Sequence, residues 1–248
     1  MKIRAIGTGS FFCRHPLVTS AFLIQSETSN VVVGCGTNIP AKLETINLHM
    51  DQIDMWIPLN AGPDQIGGLW EASHSQREKK PYLVAPGALL RRIEELMPEP
   101  SMLKAAFDLK ASTKVSFSEE HLSETIQFEK NYGRQPSYSL LFEEAEIFIS
   151  GTTEVNDEFL HRCGMPAQII LHSCFDLEAL QALPVYLQKK IWLYGYKNAA
   201  LEQEDPLPML FLPQGTCIFD SDRKEKHLDK ERFIRENAKR LIGNVTSL

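Results

Sequence analysis

The stretch Ile57-Pro58-Leu59-Asn60-Ala61-Gly62-Pro63-Asp64-Gln65-Ile66-Gly67-Gly68-Leu69 decides how this chain is read. Its apolar beginning closes a run that starts at Ile53, and the Asn, Gly and Pro that follow end regular extension, so residues 53–58 read as a strand. The Pro63-Asp64 pair then marks a helix start, because proline fits the first helical position, and the apolar spacing carries that helix to Ser73. A strand, a short loop and a helix in immediate succession form the repeating unit of an α/β fold.

Working outward, short apolar runs bounded by glycine at 2–6, 20–26 and 30–34 read as strands, the last being the buried type Val31-Val32-Val33. Helical spacing covers Ile39 to His49, and Tyr82-Leu83-Val84 followed by Gly87 to Met97 gives another strand and helix. Met102 to Ser118 fits a strand or a loop. The second half repeats the rhythm: a hairpin of Tyr138–Leu141 and Ile147–Ser150, a helix over Glu154–Cys163, a strand at Ile169–His172, a helix over Leu177–Leu183, and a strand at Ile191–Tyr194. Two similar halves predict a sandwich of two sheets with helices outside. A charged C-terminal helix is expected at about 220–242, with Phe233, Ile234, Ala238 and Leu241 as its apolar stripe and its charges as a solvated face.

The chain has 248 residues, with 43% hydrophobic and 23% charged, which is the composition of an ordinary folded protein and suits a single domain over 1–248. A net charge of -6 and a pI near 5.7 speak against a nucleic-acid partner, which needs a basic face. The five cysteines, Cys13, Cys35, Cys163, Cys174 and Cys217, are odd in number and contain no Cys-x-x-Cys pair. They suggest neither a disulfide framework nor a zinc knuckle. No stretch is long and apolar enough for a membrane span, and no secretory leader is visible, so the expected place is the cytoplasm.

The quoted stretch resembles the signature of metallo-β-lactamase-fold hydrolases, in which a strand ends in Thr-His-x-His-x-Asp-His-Ile-Gly-Gly-Leu. Further landmarks keep the register. Gly7-Thr8-Gly9-Ser10 resembles the opening glycine turn of the phosphodiesterase and tRNA 3'-processing branches, and Val33-Gly34-Cys35-Gly36 resembles Leu-Ile-Asp-x-Gly with Gly34 in place of the acid. Pro136-Ser137-Tyr138-Ser139 resembles the segment after the next metal histidine, Ser150-Gly151-Thr152-Thr153 resembles Ser-Gly-Asp-Thr, and the strand Lys190 to Tyr196 resembles one that ends in a histidine ligand. The resemblance spans roughly residues 3 to 200 and implies a four-layer αββα sandwich.

It also implies a site whose chemistry has been removed. The three signature histidines fall on Asn60, Gly62 and Gln65, and only the aspartate remains, as Asp64. The metal-bridging carboxylate falls on Thr152 and the last histidine on Gly195, while Gly133 or a neighbour takes the place of another. Two zinc or manganese ions need imidazole and carboxylate donors, and a catalytic ion works by acidifying bound water. Glycine offers no donor, and amides or hydroxyls offer weak neutral ones. The sequence is therefore read as a pseudoenzyme with a degenerate site and no metal or other cofactor, serving as a binding or regulatory module. The alternative is a Zn- or Mn-dependent hydrolase of phosphodiester or related bonds with an altered site.

Other residues keep two readings each. His172 falls where relatives carry a strand-end His-Glu pair that aids proton transfer, with Ser173 in place of the acid; the plainer reading is a hydrogen-bonded strand-end histidine. His15, Arg134, Tyr194 and Tyr196 lie on segments that would rim the vacated pocket, where they could hold a small anionic or nucleotide-like ligand. Otherwise they are surface or packing residues. A protein partner, a homodimer and a pairing with a catalytic homologue are the remaining expectations. Cys13, Cys35 and Cys174 follow strand ends, where inert burial is the simpler reading.

Overall fold

The computed structural model describes residues 1–74, 79–118, 123–131, 135–151, 165–173, 177–196, 209–223 and 227–233. The apolar runs form strands where the sequence places them: β1 (Lys2–Gly7), β2 (Ala21–Gln25), β3 (Asn30–Val33), β4 (Met55–Ile57) and β5 (Tyr82–Ala85). Residues 102–118, open between strand and loop, hold the end of a helix followed by two strands, β6 (Asp108–Ala111) and β7 (Lys114–Ser118). Then come β8 (Ser123–Lys130), β9 (Tyr138–Phe142), β10 (Ile147–Ile149), β11 (Ile169–Ser173), β12 (Ile191–Tyr194), β13 (Leu210–Phe211) and β14 (Cys217–Asp220). They build two seven-stranded sheets, ordered β14-β1-β2-β3-β4-β5-β6 and β13-β12-β11-β10-β9-β8-β7.

Each sheet is antiparallel on one side and parallel on the other, with β3 through β6 parallel in the first and β10 through β13 parallel in the second. Parallel neighbours require crossovers, and the helices supply them: α1 (Ile39–Thr45), α2 (Pro63–Ile66), α3 (Leu69–His74), α4 (Gly87–Leu96), α5 (Pro100–Ala106), α6 (Leu177–Gln181) and α7 (Val185–Gln188). The main core fills the space between the sheets with side chains such as Phe22, Val33, Ile57, Leu140 and Trp192, while Val32 and Trp56 of the same cluster point to the opposite face of the first sheet. A smaller cluster of Phe148, Ile170, Leu180, Leu187 and Leu193 seats α6 and α7 on the outer face of the second sheet. This is the αββα arrangement.

Three boundaries differ from the sequence reading, each for a local reason. The helix expected over 39–49 stops at Thr45, because Asn47 turns left-handed at φ 56° and sends its N–H to the Glu44 carbonyl. The helix expected from Asp64 to Ser73 is two pieces, split at Gly67-Gly68. There the backbone is pressed against its neighbours: a Cβ on Gly68 would lie 2.5 Å from the Gly36 carbonyl oxygen. At the other end of the chain, Asp220 closes strand β14 instead of opening a helix. The helical turn starts at Lys230, with the Asp229 carboxylate accepting from the Glu231 N–H at 2.8 Å, and residues beyond 233 lie outside the described part.

That last segment ties the two sheets together away from the candidate site. His227 bridges to Phe219 and donates from Nε2 to the Ala145 carbonyl at 2.6 Å, while Phe233 meets Trp192 edge-on at 5.1 Å. Lys230 donates to the Ile191 carbonyl at 2.6 Å and lies over the Trp192 ring, and burial pulls its pKa down to about 7. The Glu154–Cys163 helix reading falls outside the described residues.

Candidate functional site

The carboxyl ends of the parallel strands of both sheets meet at one edge of the sandwich, the usual place for a site in α/β folds. Backbone bonds stitch that edge together. Tyr138 donates to the Leu59 carbonyl at 2.8 Å, Asn60 bridges to Ser137, Gly195 donates to the Thr8 carbonyl at 2.7 Å, and Ser10 donates to the Tyr196 carbonyl at 2.9 Å. The sequence therefore placed the loop after β4, the loop after β1 and the end of β12 around one location, and the structure brings them there.

Within this edge, Gln65 is buried and its side chain is committed to the protein. Its Oε1 accepts the Leu59 N–H at 3.2 Å, and its amide lies against the bare Cα of Gly34. Gly34 has φ +80°, and a Cβ there would meet the Ser20 carbonyl oxygen at 2.7 Å and the Gln65 Nε2 at 3.2 Å. The two departures from the family pattern thus fit each other: the glycine leaves the room that the amide fills. Gly195 has φ +76°, a left-handed backbone that glycine adopts without the steric cost a histidine would meet. Asn60 folds back on its own loop, its Oδ1 accepting the Gly62 N–H at 2.6 Å.

Asp64 is half-buried at this edge. Desolvation lifts its carboxyl above the ordinary range, opposed by its backbone hydrogen bond and by the Gln65 side chain. Tyr194, also buried, feels the Asp64 charge, and burial together with that charge pushes its phenol well above the usual value. The Tyr194 hydroxyl lies in reach of the Gly151 backbone, whereas the buried Ser10 Oγ on the facing loop has no hydrogen-bond partner among the described residues. Buried hydroxyls without partners are costly in a core and ordinary in a place built to meet something else. Ser10 was visible in the sequence only as part of a glycine turn.

His172 behaves differently. It alternates away from Leu171, which faces the space between the sheets, and its Nδ1 pairs with Ser150 Oγ at 2.5 Å while its Nε2 has no partner among the described residues. Complete burial pulls its pKa down to about 4, so the ring is neutral at pH 7. Behind it a polar chain runs through the Ser150 carbonyl, Ser139 and Asn131 to Ser137, beside the Asn60 bridge. Tyr196 is buried, with its hydroxyl 2.9 Å from both Thr8 Oγ1 and the Leu212 carbonyl, so that group is spent within the wall. His15 is exposed in the loop after β1, preceding a cis proline. Cys13 is half-buried and Cys35 buried, both as free thiols. Arg134, Gly133, Thr152 and Cys174 lie outside the described residues.

The model of the family described as "Anti-Pycsar protein Apyc1" matches residues 1–218, which takes in both sheets as far as the middle of β14 and this whole edge. The chain belongs to the Anti-Pycsar Apyc1 family. Among curated members of that family, the protein from Paenibacillus sp. (strain J14) is 24% identical over 225 residues, covering 80% of this chain and 90% of its own. The member from Bacillus phage vB_BsuM-Goe3 is 28% identical over 99 residues, 40% of this chain and 35% of its own. The fold of this Apyc1-family chain is that of metallo-β-lactamase-fold structures. YhfI from Bacillus subtilis superposes with a TM-score of 0.63 at 15% identity, covering 87% of this chain and 98% of that one. Zn(2+)-bound PqqB from Methylobacterium extorquens superposes with a TM-score of 0.64 at 12% identity, covering 88% and 99%.

A metal pair of the kind this fold family implies needs imidazole and carboxylate donors around one point. Here the corresponding described positions hold the Asn60 and Gln65 amides and the bare backbones of Gly62 and Gly195, with Asp64 the one acid. Among the described residues no three His, Cys, Asp or Glu side chains are grouped as a metal site requires. The described donors do not fit such a pair. No helix among the described residues is long and apolar enough to cross a membrane.

Proposed function

We propose that this chain is a pseudoenzyme of the Anti-Pycsar Apyc1 family, which keeps the hydrolase scaffold and uses the edge around Asp64, without metal, to bind a small ligand without cleaving it. The observation that carries this reading is the internal use of Gln65. The side chain standing at a histidine-ligand position takes the Leu59 N–H and fills the space over Gly34, so the place of a metal ligand has become part of the framework. An amide bonded on one side to a buried backbone group is a poor replacement for an imidazole, because turning it toward an ion would strand that N–H.

The buried Ser10 hydroxyl, without a partner among the described residues, supports binding rather than mere decay of the site. A site freed from selection for a ligand has no reason to leave a buried hydroxyl unpaired, since each costs roughly 1–3 kcal/mol. The competing reading, a hydrolase with an altered metal site, draws support from family membership and from the retention of Asp64. The two separate in one assay. Purified protein is offered bis(p-nitrophenyl) phosphate with zinc, manganese or iron, next to its Asp64→Ala variant. We expect no turnover above the variant; a metal-dependent rate abolished by Asp64→Ala would establish the hydrolase.

A further inference from the structure

We infer that the outer edge of strand β6 docks a second copy of this chain, through an antiparallel strand pairing centred on Leu109. This goes beyond the reading of the edge around Asp64 and is independent of whether that edge binds a ligand. β6 ends the first sheet, with β5 on one side and no strand on the other among the described residues. Asp108 donates to the Pro81 carbonyl at 3.0 Å and Ser112 to the Ala85 carbonyl at 3.1 Å, so residues 108, 110 and 112 turn their backbone groups to β5. Leu109 and Ala111 between them therefore present their N–H and C=O groups outward.

The other outer strands are less open. His227 bridges to Phe219 on β14, and β13 spans two residues. At β7 the outward groups of Lys114 are taken by the Ser112 hydroxyl, which accepts its N–H at 3.2 Å and donates to its carbonyl at 2.5 Å.

An open edge invites another strand, and charges placed on it decide which strand can come. In antiparallel self-pairing about Leu109, Asp108 of each copy stands opposite Lys110 of the other, and the two-fold axis makes this pair twice. Both residues are exposed, and the Lys110 ammonium lies 6.0 Å from the centre of the Tyr82 ring, on the same face of the sheet. These are the non-hydrogen-bonded positions, where facing side chains come closest, with Cα atoms about 4.5 Å apart. Leu109, half-buried against the core, meets Leu109 of the other copy on the opposite face. Centring the pairing one residue earlier sets Asp108 against Asp108, and one residue later sets Lys110 against Lys110. Like charges directly opposite destabilise a pair, so the order Asp-Leu-Lys selects one register as well as a second copy.

The test is sedimentation velocity of the full chain at rising concentration, with amide hydrogen exchange followed by NMR at both ends of the range. The expected result is a reversible dimer in which exchange of the Leu109 amide slows as concentration rises, while the Asp108 and Lys110 amides, already bonded to β5, change little. Asp108→Lys and Lys110→Asp should each weaken self-association about tenfold or more, since each turns two attractive pairs into two repulsive ones. Mixed one to one, the two variants should associate as the parent does, because every facing pair is again opposite in charge. A chain that stays monomeric at the highest concentration overturns the inference. So does a dimer whose Leu109 amide stays fast, a dimer that the single variants leave unchanged, or a mixture of folded variants that fails to associate.

Discussion

Replacing Gln65 with leucine tests whether the former ligand position has become structural. Leucine matches glutamine closely in volume, so little cavity or overpacking is added and the change is chiefly the loss of an amide. Leu59 is 3% exposed, and its N–H would lose the acceptor that Gln65 Oε1 provides at 3.2 Å. An orphaned buried N–H costs about 1–3 kcal/mol. The support that the Gln65 side chain gives to Asp64 is also lost, but it adds less, because that carboxyl is only half-buried and water can replace the donor. Urea unfolding is the assay. With a slope of about 3 kcal/mol/M, the midpoint should fall by roughly 0.3–1 M at unchanged slope. A midpoint equal to that of the parent protein would refute the reasoning, since Gln65 would then be dispensable to the framework.

Further outcomes follow from individual groups. His172 has a folded pKa of about 4 against an ordinary 6.5, so the unfolded chain binds the extra proton first, and stability falls as pH drops from 6.5 to 4. His172→Gln should remove about 3 kcal/mol of that loss, read as a flatter curve of urea midpoint against pH; parallel curves would contradict it. Ser10→Ala deletes a buried hydroxyl without a partner among the described residues and should stabilise the free protein by about 1 kcal/mol while weakening ligand binding, checked by thermal unfolding and titration of the same sample. Lys230 has a folded pKa of about 7 against 10.5, so its stability penalty grows as pH falls from 10.5 to 7. Lys230→Met should flatten stability across that window in a pH series of urea melts.

Much of this architecture was readable in the sequence because its decisive elements are local. The apolar run ending at Pro58, the Pro63-Asp64 start and the glycines after Ile66 each determine a piece of backbone through nearby residues. Strand β8 was missed for a physical reason. Its inward face reads Glu124, Ile126 and Phe128, and the first of these breaks the apolar alternation while lying 1% exposed. The Glu124 carboxylate is there to accept the N–H groups of Glu144 and Ala145, a turn twenty residues away that no local pattern reveals. The closing segment from His227 to Phe233 was hidden likewise, since its charged composition describes a solvated helix and its contacts come from three different parts of the chain.

At the site, residue identities were legible and their employment was not. Asn60, Gly62, Asp64 and Gln65 could be set against the family signature position by position. That Gln65 points into the framework depends on the Leu59 N–H and on the room over Gly34, which only the folded chain brings together. Tyr194 and Tyr196 look equivalent in sequence; the structure sets one hydroxyl by the Gly151 backbone under the charge of Asp64 and fixes the other to Thr8 and Leu212.

The measurement that bears most directly on the central claim is elemental mass spectrometry of protein purified without a histidine tag, before and after incubation with zinc, manganese and iron followed by removal of free ion. The account expects a folded protein holding well under one ion per chain in every condition. One or two tightly held ions per chain, lost in Asp64→Ala, would contradict it.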